Sequence, residues 1–336
     1  MQKKLLEFCD IDETTKKLIQ LYCQTEIQSS GLAKWFDSVQ FDALPSHLTC
    51  MAASACSAIR FADVPQALVP RLRGIVKYVH TLNSGMFSAV CLLATVCNRE
   101  QIPLLLLEDT ALYMCYADAP QRHLWQVCVG VRATHYEEVL QLAQKSGFSI
   151  ERHPYAAVAR QGITQQIVIR PTEDNSYLWN GATELKKGNA VCLCPQPASM
   201  LVEACQRMFR AFTKPAPQIS LARWCMDMKL ILSRLSDADW VCAEQIAQAE
   251  KAKYHVRFVL AVYEAITEMK LKETLRFGSN TAVKRTCKLL QAYTVCSKSG
   301  QKLRHTYLLY RLRRPDSIIA TMQLLIKCVL RKWKMK

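Results

Sequence analysis

The chain has 336 residues, half of them hydrophobic, with 44 Lys and Arg against 28 Asp and Glu and a formal net charge of +16. That length and apolar content suffice for a sizeable buried core divided into two or three lobes. The opening MQKKLLEFCDID lacks the apolar run of an export signal, and the sixteen cysteines are scattered without a disulfide framework or a complete zinc set, so reduced thiols in a cytoplasmic protein are expected.

Residues 1–100 read as helical, with apolar residues at helical spacing over Glu13–Gln24, His47–Arg60 and a long or broken segment Val69–Cys97. Residues 101–195 alternate strand and helix. The strands are Leu104–Leu107, Trp125–Val131 and Gln166–Arg170, a helix covers Tyr136–Ser146, and turn signals stand at Asp118–Pro120, His153-Pro154 and Glu173–Ser176. From 196 the helical pattern returns over Met200–Phe212, Leu221–Leu235, Ala243–Ala252 and Val256–Met269. There is no repeat at solenoid periods.

Charge is concentrated at the end of the chain. Residues 270–336 hold seventeen Lys and Arg against Glu273 and Asp316 alone, a surplus of fifteen out of the net sixteen. Arg311, Arg313, Arg314 and Lys332, interleaved with Tyr307, Tyr310 and Trp333, are candidate contacts for nucleic acid or another anionic partner. Within this stretch Ile318, Met322, Leu325 and Val329 form one helical stripe. It suits docking on a core, or alternatively on an anionic surface, but it is too short and too interrupted by charge for a transmembrane segment.

The segment Ile102–Phe148 carries the most specific pattern. Ile102-Pro103-Leu104-Leu105-Leu106-Leu107-Glu108-Asp109-Thr110-Ala111-Leu112 is followed, from Arg122, by Arg-His-Leu-Trp-Gln-Val-Cys-Val-Gly-Val, then by a helix and Gly147-Phe148. This resembles the uncharacterised nucleotidyltransferase family of bacterial proteins, whose segments read IPxxLLKGxAL and RxxxDxDLLV. Leu235-Ser236-Asp237-Ala238-Asp239-Trp240 resembles a later element of the same family. The resemblance implies an α/β (α+β) fold class: a nucleotidyltransferase-like mixed-sheet core at 101–195 between helical regions at 1–100 and 196–336, the latter strongly basic from 270.

In that family the two acids of DxD, with a third acid on a later strand, hold divalent metal that serves transfer from a nucleoside triphosphate. Here those positions are Gln126, Cys128 and, on the strand through Gln166–Arg170, Val168, while Arg170 takes the place of a histidine. An amide, a thiol and an isopropyl group make a poor magnesium site. The lysine-glycine pair that meets phosphate is replaced by Glu108-Asp109, first-turn acids that suit a helix dipole and repel a triphosphate. Arg122 and Arg170 are the candidate nucleotide-binding cations left.

No phosphate-loop, dinucleotide or serine-hydrolase motif is present. The expectation is therefore a degenerate relative without metal or cofactor, retained for binding or regulation. The alternatives are an active transferase that uses magnesium and a nucleoside triphosphate through rearranged ligands, and a polyanion binder acting through the basic end.

Overall fold

The computed structural model describes residues 9, 11–115, 123–124, 126–162, 165–212, 220–278, 281 and 283. Arg122, Trp125 and Asp118 lie outside the described residues, as do Arg311, Arg313, Arg314, Lys332 and the Ser317–Lys334 stripe.

The N-terminal helices are α1 (Glu13–Cys23), α2 (Ser29–Asp37), α3 (Ser46–Ala58) and α4 (Val69–Arg99). Asp12 starts α1 by accepting the Thr15 backbone N–H at 2.8 Å, the bond an N-cap is selected for. α4 is long and apolar enough to cross a membrane by length and composition. In this structure its inner face, including Val79, Phe87, Val90 and Leu93, is buried. Asn98 fastens its end to the Val191 backbone by two bonds of 2.8 and 3.0 Å.

Seven strands follow: β1 (Leu105–Leu107), β2 (Val127–Arg132), β3 (Ser149–His153), β4 (Ala156–Gln161), β5 (Gln165–Thr172), β6 (Thr183–Lys187) and β7 (Ala190–Cys194). Between them lie α5 (Glu108–Cys115) and α6 (Tyr136–Lys145). They form one mixed sheet in the order β3-β4-β5-β2-β1-β7-β6, with β1 antiparallel to β2 and parallel to β7, and β2 parallel to β5. The two edge strands expose charged residues, Glu151 and Arg152 on β3 and Glu184, Lys186 and Lys187 on β6, which discourages edge-to-edge pairing.

After β7 come α7 (Pro197–Phe212), α8 (Leu221–Leu232), α9 (Asp237–Ala249) and α10 (Lys253–Thr267). Ser236 and Asp239 close a full capping box at the start of α9. That capping starts the helix six residues before the Ala243 expected from apolar spacing.

The sheet's period-two alternation separates two cores. Leu104, Leu106, Val127, Val129, Val131, Ile167 and Ile169 join a large cluster continuous with the flanking helices. Leu105, Leu107, Cys128, Val158, Val168 and Trp179 form a small cluster on the opposite face. The twelve described cysteines are free thiols.

Candidate functional site

The parallel register of β2 and β5 sets Cys128 beside Val168, and β1 sets Leu107 opposite Cys128. Two of the three family acid positions are thus neighbours, on the face of the small cluster. That face is dry. Trp179, 8% exposed, packs with them from the segment after β5. The indole N–H donates to the Thr172 hydroxyl at 3.1 Å, and the Arg132 guanidinium lies 4.6 Å from the ring centroid, within cation–π range. Gln126, half-buried, immediately precedes β2.

Cys128 is tied down on both its backbone and its side chain. Its N–H donates to the Thr110 hydroxyl of α5 at 2.6 Å. Burial, with Glu108 adding to it, pushes the thiol well above its ordinary range, so it is neither an anionic ligand nor a nucleophile at neutral pH. His135 lies on the exposed turn after β2 and pairs with Glu138 at 3.4 Å.

Glu108 and Asp109 begin α5 directly above these strands. Glu108 adopts a left-handed backbone, φ 50°, a conformation that costs a non-glycine residue about 1 kcal/mol. Its carboxylate accepts from Arg170 of β5 and pairs with Arg207 of α7 at 3.1 Å. Asp109 pairs with the same Arg207 at 3.5 Å and accepts from Arg223 of α8. The result is one alternating chain, Arg170–Glu108–Arg207–Asp109–Arg223, that welds the sheet, α5, α7 and α8 together. The two carboxylates are only 10–11% exposed, so these pairs are screened far less than surface ion pairs.

Two more acids adjoin it. Glu203 lies one helical turn before Arg207 on α7, and Asp227, 2% exposed, one turn after Arg223 on α8. Burial pushes the Glu203 carboxyl up to about 7 against the pull of Arg207, and Glu108 adds to the rise. Burial works against the charge of Arg207, yet Glu203, Glu108, Asp109 and Asp227 outweigh it and hold the guanidinium firmly protonated.

The residues present do not fit a catalytic metal. Carboxylates do gather beside β2, but Glu108 and Asp109 are engaged by arginines, and among the described residues no group of three Asp, Glu, His or Cys is arranged to hold a metal ion. The gap bounded by Glu108, Leu112, Pro195, Met200, Glu203 and Arg207 measures about 10 Å³. That is room for about one water, not for a nucleotide.

Sequence reading reached Glu108, Asp109, Cys128, Val168 and Arg170, and the fold brings these together. It missed Glu203, Arg207, Arg223 and Asp227. A signal was available: each is a charge set among buried positions of an otherwise apolar helix, Met200, Ala204 and Met208 on α7, Trp224, Met226 and Met228 on α8.

No protein-family model matches this sequence, and no match is found among curated proteins. Among solved structures the chain is similar to the antibiotic-resistance factor ANT(2'')-Ia at 12% identity, over 51% of this chain and 96% of that one, with a TM-score of 0.38.

Proposed function

We propose that this chain is a nucleotidyltransferase-like protein that has lost metal-dependent transfer and is retained for binding or regulation. The observation that carries this reading is the ion-pair chain itself. Two carboxylates and three guanidiniums occupy the place where the related sequences would meet phosphate, and they leave space for little more than a water. The apolar packing of Cys128 and Val168 under Trp179 supports it independently.

The test is nucleotidyl transfer by the purified full-length protein, with each labelled nucleoside triphosphate, magnesium or manganese, and a panel of sugar, protein and nucleic-acid acceptors. No incorporation above a metal-free control is expected. Metal-dependent incorporation abolished by Glu203→Gln or Asp227→Asn would instead establish the active alternative with rearranged ligands.

A second reading is favoured by the charge distribution: binding of nucleic acid through residues 270–336. It predicts affinity falling steeply with salt, and a smaller salt slope after charge reversal at Arg311, Arg313 and Arg314. Indifference to both would remove it.

A further inference from the structure

We propose that Arg170, Arg207 and Arg223 form a polyphosphate-binding site that the chain keeps filled with its own carboxylates, Glu108 and Asp109 acting as a tethered stand-in for the ligand. The inference concerns the pocket just described and rests on the reading that no nucleotide is turned over there.

Three features of the geometry point to it. Guanidiniums from three separate elements, β5, α7 and α8, converge on two adjacent side chains, and each carboxylate is shared by two of them. Guanidinium groups alternating with anionic oxygens are how arginines bind a row of phosphates, through charge-assisted hydrogen bonds. The anionic groups also sit at the start of α5, where the helix dipole favours negative charge.

Finally, stability alone does not account for the cluster. Buried ion pairs are commonly replaceable by apolar side chains at no cost, whereas here a carboxylate is held in a left-handed conformation to reach between Arg170 and Arg207. A phosphate chain would make the same bridges without that strain. In this view the protein is locked in what would be a ligand-closed arrangement, α7 and α8 clamped onto the sheet from within.

The experiment compares thermal unfolding of the full-length wild type and of E108Q/D109N, each in chloride and in inorganic triphosphate at matched ionic strength. The double variant is expected to melt lower than wild type in chloride. Triphosphate should then raise its midpoint by at least about 2 °C more than that of wild type. The basic residues after 269 bind triphosphate equally in both proteins, so the difference isolates the arginine cluster. Adding Arg207→Ala to the double variant should abolish the extra shift.

Equal triphosphate shifts in the two proteins would overturn the proposal, and so would a double variant as stable as wild type in chloride. If the double variant does not fold, D109N alone, which frees Arg223 and leaves Glu108 in place, carries the same comparison with the same two outcomes. Transfer activity in the wild type would sink the functional reading instead, so the two failures are told apart.

Discussion

Glu203 carries a carboxyl that burial has pushed up, to about 7 from an ordinary 4.5, and this makes stability depend on pH in the opposite sense to a salt-bridged acid. The folded chain holds that proton more tightly than the unfolded one. The stability it contributes is therefore fully present below about pH 4.5 and is lost as pH rises through about 7. Glu203→Gln should remove this decline. Urea unfolding at pH 5 and pH 7.5 should show the variant gaining about 1–3 kcal/mol on wild type between the two, and parallel pH profiles would contradict the assignment.

Cys128 offers the complementary case. Restoring an acid there, Cys128→Asp, places a charge in a dry apolar cluster near Glu108. A loss of about 3 kcal/mol or more is expected, read as a fall in the urea midpoint, with no transfer activity gained.

Among elements, β1, α5, β2 and α6 were legible because their apolar runs are long and their spacing regular. The strand start at Trp125 was read two residues early, since apolar content continues past the point where pairing with β5 begins at Val127. The hairpins β3–β4 and β6–β7 were not resolved individually: β3 and β6 are edge strands with exposed polar residues, so neither shows the apolar alternation that marks a half-buried strand. The site was less legible still. Asp109 and Arg223 lie 114 residues apart and Glu108 and Arg170 62 apart, and no local pattern announces such pairing.

Close strand approach gives an element-scale prediction. A Cβ at Gly130 would stand 3.0 Å from Thr172 Cγ2 and 3.1 Å from Leu107 Cδ1, tight against both neighbouring strands. Gly130→Ala should destabilise by about 1–3 kcal/mol, seen in thermal unfolding, whereas Gly85→Ala, with open space around it, should not destabilise and gains helix propensity.

At the scale of the molecule, the ion-pair chain joins the strand-rich middle to the helices that follow it. Arg207 is its centre, touching both Glu108 and Asp109. Arg207→Ala leaves two largely buried carboxylates short of a partner, and a loss of about 3–5 kcal/mol is expected, measurable by chemical denaturation. An exposed pair such as Arg152–Glu137 should cost about 1 kcal/mol or less when broken.

The central claim is that the pocket beside β2 has given up its metal. Titration of the full-length protein with manganese(II), followed by electron paramagnetic resonance, tests it without any assumption about the acceptor. The account predicts no stoichiometric protein-bound ion, and the same titration curve for wild type and Glu203→Gln. One equivalent bound tightly, and lost on replacing Glu203 or Asp227, would contradict it.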